Sequence, residues 1–268
     1  MAEILVERSG STAQVILNRP DKRNALNLAM WRALRAAFAD LQEDDALRCI
    51  VVRGAGGNFA AGADLAEFAA LRATADQAEA YGQDMLAALT AISGCRHPTV
   101  AAIEGLCVGG GLEIALMCDL RLGAADSRYG IPIQKVGVAM PYPELSILTQ
   151  MLGPATMLEL LLEGQLHDAA WAERRGLITR AALDLPAEVA AAVGRIATGS
   201  PMSHRHHKLL IHSAVAANQA IEPEMVRASY AAVETADYRE GLQAFLERRP
   251  ANFRDNGTTR LDETLLRG

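Results

Sequence analysis

The sequence predicts an α/β fold followed by a helical C-terminal region. β-Rich runs alternate with helical periodicity up to about residue 180, and the patterns beyond that point are mostly helical. No long stretch rich in Pro, Gly or Ser separates the two parts, so they are expected to pack together. We place the α/β core at residues 1–198 and the helical region at 199–268. With 268 residues, 50% of them hydrophobic, the chain can bury a large core.

Residues 3–8 and 12–17 read as two strands joined around Ser9-Gly10. NRPDKRNALN then supplies turn residues, and Asn27 is placed to cap a helix with the apolar stripe Leu28, Trp31, Leu34, Phe38 and Leu41. The run CIVVRG at 49–54 predicts a strand, followed by the glycine-rich loop GAGGNFAAGAD. Asp76 with Glu79 three residues later predicts the start of a helix whose inner face is Ala78, Tyr81, Met85, Leu89 and Ile92. After Pro98, TVAAIE predicts a strand running into GGGLE and a short helix ending near Asp119. Further helical patterns lie near 186–198, 204–217, 221–235 and 237–248.

A formal net charge of −6 and the absence of a Lys/Arg-rich run argue against a nucleic-acid partner. Cys49, Cys95, Cys107 and Cys118 lack C-x-x-C spacing and lie mostly among apolar residues. That pattern suits buried thiols in a reducing compartment, and the cytoplasm is the expected location. The first residues carry Glu3 and Glu7 where an export signal has a basic region, and no apolar run of about 18 residues stands out. No membrane association is expected.

The segment CVGGGLEIALMC poses the central question. Three glycines in a row weaken a helix by roughly 1 kcal/mol each, and a lone carboxylate, Glu113, is costly in apolar surroundings. Nucleotide binding fails as an explanation: neither glycine segment matches G-x-x-x-x-G-K-[ST], or G-x-G-x-x-G with a suitably placed acid. No G-x-S-x-G occurs either, which argues against a serine hydrolase. Both glycine segments follow predicted strands, where unpaired amides could point into a cleft and form an oxyanion hole. Each such donor is worth about 10² to 10³ in rate. Close packing of helix on strand explains the same glycines, and the residues alone leave both readings open.

VILNRPDKRNALN, GAGGNFAAGADLAEF, TVAAIEGLCVGGGLEIALMCDLRLGA and DYREGLQAFLERRPANFRD resemble, in order and over essentially the whole chain, the crotonase superfamily, that is, the enoyl-CoA hydratase/isomerase family. The resemblance implies a spiral of repeated ββα units, a helical C-terminal trimerisation region, a homotrimer or homohexamer, and an acyl-CoA thioester as substrate with no separate cofactor. It places oxyanion donors at the backbone amides of Ala63 and Gly110, and a catalytic glutamate at Glu113. The alternative for Glu113 is a buried acid satisfied by structural hydrogen bonds. Along the ligand the resemblance places Lys22, Arg23 and Ala25 in the loop after the second strand, with Arg19 beside them, and Ala61, Asp64 and Leu65 near the first donor. Phe253 and Arg254 match a second CoA-binding region. A solvated surface charge is the competing reading for each basic residue.

The resemblance breaks at one point. Where the hydratases carry a second glutamate after aromatic-Gly-x-Pro, this chain has Ile133 in Tyr129-Gly130-Ile131-Pro132-Ile133. An isoleucine cannot take or give a proton, and general acid/base help is typically worth about 10² to 10⁴ in rate. Gln134, Tyr142 and Glu144 are the nearby candidates to substitute. Gln134 could orient a water without deprotonating it, and Glu144 in PYPELS reads more readily as the first turn of a helix than as a substitute acid. We rank hydration or dehydration of a 2-enoyl-CoA first, double-bond isomerisation second, and decarboxylation or thioester hydrolysis third. A non-catalytic acyl-CoA-binding protein is the rival from outside enzymology. His204 and His207 in SHRHHK share a helix face, but no nearby ligands complete a metal site, and none is expected.

Overall fold

The computed structural model describes residues 2–216 and 235–253. Strands β1 (Ile4–Ser9) and β2 (Thr12–Leu17) form an antiparallel hairpin, turning at Gly10. β3 (Cys49–Gly54), β4 (Thr99–Ile103), β6 (Leu120–Ala124) and β9 (Arg180–Ala182) then add in parallel, giving the order β1-β2-β3-β4-β6-β9. β5 (Leu106–Val108), β7 (Arg128–Gly130) and β8 (His167–Asp168) form a second, three-stranded sheet.

The two sheets are threaded alternately. The chain passes from β4 in the large sheet to β5 in the small one, and from β6 to β7 in the same way. After β3, the single bridge Ala60–Cys107 sets the glycine-rich loop beside β5. Helices return the chain between turns, so the architecture is a mixed α/β spiral with a mainly parallel large sheet.

Parallel strands covered on both faces carry continuous apolar runs, which explains CIVV. Ile50 and Val52 enter the main core with α1 (Leu28–Leu41) and α3 (Ala75–Ser93), while Cys49 and Val51 enter a second core closed by Leu185 and Ala192 of α7 (Leu185–Ala197). Asn27 caps α1, its side chain accepting from the Met30 amide at 2.8 Å, and Trp31, Leu34, Phe38 and Leu41 are buried as the stripe predicts. α3 starts earlier than expected: Thr74 is its cap, with Gln77 completing the capping box, in place of Asp76 and Glu79. The short helix α2 (Phe68–Leu71) precedes it.

α5 (Tyr142–Glu163) corrects the expectation that no segment reaches membrane-spanning length, since its 22 residues suffice by length and hydropathy. The helix is broken at Gly153, ahead of Pro154, and Leu148, Met157 and Leu160 sit in the main core. Only one face of the helix is buried, and Met151, Leu158 and Leu162 are exposed. α6 (Ala169–Arg174) follows β8.

α8 (Pro201–Ala216) docks through a polar cluster. Lys208 Nζ lies 2.8 Å from Asp119 Oδ2 and donates to the His97 carbonyl at 3.1 Å, while Asp119 also accepts from the Thr99 amide and hydroxyl. Removing one partner of a buried pair costs roughly 3–5 kcal/mol, and partial exposure with the remaining Thr99 donors lowers that. Lys208→Met is expected to cost about 2 kcal/mol in urea denaturation. α9 (Ala236–Glu247) is the last described helix; the pattern at 221–235 lies largely outside the described residues.

Candidate active site

The two amides expected to act as oxyanion donors lie on loops in contact. A parallel bridge pairs Leu26 with Ala63, through bonds from the Leu26 amide to the Gly62 carbonyl at 2.7 Å and from the Asp64 amide to the Leu26 carbonyl at 2.8 Å. In such a bridge the amide of the middle residue faces the other way, so the Ala63 N–H points away from Leu26. Among the described residues it meets no protein acceptor.

On the other side, β5 runs into Gly109, whose amide donates to the Gly130 carbonyl at 2.9 Å, and α4 (Gly110–Leu116) begins. Gly110 holds the first amide of that helix, which has no intrahelical partner. A methyl added at Gly109 would sit 3.7 Å from the Gly62 Cα, so the two donor loops touch.

Each glycine of the triplet answers a different constraint. Gly109 has φ +51° and ψ −122°, a conformation hostile to side chains. A methyl at Gly110 would lie 3.0 Å from the Trp31 ring and 3.1 Å from a Leu26 methyl, and one at Gly111 would lie 2.7 Å from Ala60 Cβ. The close-packing reading therefore holds, and the same packing brings the loop that carries Ala63 against the start of α4.

The loop carrying Arg19 to Ala25 is tied to the first donor. Arg19 donates to the Ala25 carbonyl at 2.7 Å, pairs with Asp64 at 2.8 Å and Glu3 at 3.0 Å, and is a half-buried strut where a solvated charge was the alternative. Asp64 accepts from Arg19 and caps the turn Leu65–Glu67, and the Arg19 hydrogen bond holds its carboxyl below the usual range. Asp64 thus positions Ala63. The Ala61 amide bonds to the Arg23 carbonyl at 3.0 Å. Arg23 and Asn24 adopt left-handed φ of 51° and 57°, with buried Asn24 bonded to Ala55, Asn58 and the Arg19 amide. Lys22 and Arg23 are left exposed, as is Leu65.

Glu113 lies one helical turn beyond Gly110, 6% exposed, with Oε2 lacking any partner. Glu144, in the first turn of α5, is 2% exposed, and its Oε2 is likewise unsatisfied. Burial first, then the charge of Glu144, raises the Glu113 carboxyl to about 7. Burial also raises Glu144. Glu144 is therefore both a helix-start residue and a buried acid facing the catalytic candidate.

The other proposed substitutes stand apart. Tyr142 is 79% exposed, and the Gln134 amide donates to the Glu163 carbonyl at the end of α5. Ile133 follows β7, half-buried against the core. The Phe253 ring packs near Gly241 of α9 and its carbonyl accepts from Arg48, while Arg254 lies outside the described residues. Among the described residues no three His, Cys, Asp or Glu side chains gather to hold a metal ion.

Sequence reasoning missed Arg72. It stands over the Phe68 and Tyr81 rings, and its charge favours the ionised forms of both Glu113 and Glu144. An aromatic four residues earlier, Phe68, was the available signal.

The raised Glu113 carboxyl has a consequence for stability. Its proton is held more tightly in the fold than in the unfolded chain, where 4.5 is the ordinary value. Stability from this group is present below about 4.5, falls as pH rises, and levels off above about 7. Relative to wild type, Glu113→Gln is expected to gain about 2 kcal/mol between pH 5 and pH 8 in paired urea titrations. An unchanged gap would contradict the burial effect.

The Gly110 amide at the start of α4, the unpaired Ala63 amide on the neighbouring loop and two buried acids, Glu113 and Glu144, are polar groups that this region leaves without partners among the described residues. Residues 7–256 match the enoyl-CoA hydratase/isomerase family model. A Mycobacterium bovis protein named "Probable enoyl-CoA hydratase echA8" is 35% identical over 93% of this chain and 97% of its own length. The crotonyl-CoA hydratase of Syntrophomonas wolfei is 30% identical over 93% and 97%. A crystal structure titled as an enoyl-CoA hydratase/carnithine racemase from Magnetospirillum magneticum superposes with TM-score 0.92 at 44% identity, covering 95% of this chain and 96% of that one. The chain belongs to the enoyl-CoA hydratase/isomerase family, and its α/β spiral is the crotonase fold.

Proposed function

We propose that this enzyme hydrates a 2-enoyl-CoA, or dehydrates the corresponding 3-hydroxyacyl-CoA, with Glu144 taking the place left by Ile133. The observation that carries the reading is the pair of buried, unsatisfied acids, Glu113 and Glu144, beside the start of α4. Like charges in a buried site resist joint ionisation, so near neutral pH the pair holds one proton. One carboxylate then takes a proton from water as its oxygen adds at Cβ, and the carboxylic acid delivers a proton to Cα. Between these events the thioester oxygen carries the enolate charge on the Ala63 and Gly110 amides. The α4 N-terminus adds a favourable dipole.

Lys22 and Arg23 are offered as charges for the CoA phosphates, with Ala25, Ala61 and Leu65 along the same arm and Phe253 and Arg254 as a second contact. No metal has a part in this scheme, because backbone amides supply the polarisation. The test is incubation with crotonyl-CoA in ¹⁸O water, with and without a chelator. Label at C3 supports hydration. Migration of the double bond without label favours the isomerase reading, and binding without either reaction favours the non-catalytic one.

Exposed Leu158 and Leu162 on α5, and Phe245 and Leu246 on α9, support a trimer or hexamer. A monomer in light scattering at micromolar concentration would overturn that. Four buried free thiols support a cytoplasmic location, to be checked by fractionation.

A further inference from the structure

Within electrostatic reach of Glu113 and Glu144 stands a cation without an ion-pair partner among the described residues. Arg72 follows α2, and its guanidinium carbon lies 4.4 Å from the Phe68 ring centroid and 5.3 Å from that of Tyr81. The two rings meet edge to face at 6.4 Å and fix the guanidinium by their faces. Among the described residues Arg72 makes no ion pair and no side-chain hydrogen bond, and its charge reaches Glu113 and Glu144 only at longer range. The Tyr81 hydroxyl next to it is buried, at 3% exposure, and also lacks a partner.

Arg72 lies along a continuous path from the oxyanion amide. The Trp31 ring sits 3.0 Å from the methyl position at Gly110, and its indole N–H faces the Tyr81 hydroxyl without reaching normal hydrogen-bond geometry. Tyr81 in turn carries Arg72. A thioester held at Ala63 and Gly110, with its CoA arm toward the Lys22–Arg23 loop, runs its acyl carbons the other way, past the acids. A planar fork of donors, held by aromatic faces and making no direct hydrogen bond to the described residues, matches a carboxylate.

We propose, resting on the acyl-CoA reading above, that Arg72 and the Tyr81 hydroxyl recognise a carboxylate on the substrate's acyl chain, so that the preferred substrate class is a 2-enoyl-CoA ending in a carboxylate. Arg72 then acts as a specificity residue. It also offsets the repulsion that Glu113 and Glu144 exert on an anionic acyl group.

The experiment is calorimetric titration of glutaryl-CoA and butyryl-CoA, which lack the reactive double bond, into wild type, Arg72→Met and Arg72→Lys. Wild type is expected to bind glutaryl-CoA about tenfold more tightly or better, the scale of a charged hydrogen-bonded pair. Arg72→Met should abolish that preference while leaving butyryl-CoA affinity within about threefold, and Arg72→Lys should keep part of it. Equal binding of the two esters by wild type overturns the inference and leaves the proposed function standing. An equal loss of both esters in Arg72→Met also overturns it, since Arg72 would then act through the fold or the acids. If a variant fails to fold, the wild-type comparison decides alone. Binding of neither ester would overturn the acyl-CoA reading and this inference together. Binding is read without turnover, so a glutaryl-CoA preference in a protein inactive on enoyl-CoA esters supports the inference and counts against the hydration reading.

Discussion

Glu113→Gln is expected to keep acyl-CoA affinity within about threefold and to lose turnover by about 10² or more. The amide keeps the size of the side chain and cannot accept a proton. Burial already holds the Glu113 carboxyl near 7, so the exchange removes a group poised between its two forms without removing a structural ion pair. The same variant should gain stability at alkaline pH, which separates loss of chemistry from loss of fold. Steady-state hydration of crotonyl-CoA, with affinity measured separately, makes the check. Full activity in Glu113→Gln would remove Glu113 from the mechanism.

Glu144→Gln is expected to lose turnover by a comparable factor, again about 10². The loss should not multiply with the first, because in the proposed mechanism the two acids share one proton. The double variant should fall close to the lower of the single ones, within about tenfold. Glu144→Gln also removes the charge that raises Glu113, so the residual pH–rate profile should shift toward lower pH. If Glu144→Gln matched wild type in rate and profile, Glu144 would be a helix-start residue alone.

Much of the architecture was readable from pattern. CIVVRG and TVAAIE are continuous apolar runs because their strands are covered on both sides, and the α1 stripe repeats at helical spacing around a correctly placed Asn27 cap. The α3 start was misread because Asp76 and Glu79 repeat, two residues late, the grammar that Thr74 and Gln77 satisfy. The bend at Gly153 was hidden between two leucine-rich turns. At the site, the glycine segments and Glu113 stood out as locally costly, and their assignment to oxyanion donors and a catalytic acid came from the family resemblance. Glu144 was ambiguous, since Pro-Glu-Leu starts a helix whether or not the acid faces inward, and its burial comes from packing distant in sequence. Arg72 escaped for the same reason: its partners Phe68 and Tyr81 are four and nine residues away, and only the fold of α2 against α3 stacks them.

The glycine triplet also constrains how such a protein can change over time. Gly109 is closed to other residues by its backbone angles, Gly110 by an indole ring and Gly111 by a neighbouring strand segment. Repair at one position cannot relieve the obstruction at the next, so the anion-holding half of the site has few viable neighbours in sequence space. The carboxylates carry no such lock. Ile133 and Glu144 are set by side-chain identity, with no positive φ at either backbone. Divergence of chemistry in this scaffold is therefore channelled through its acids, around an unaltered cradle of amides.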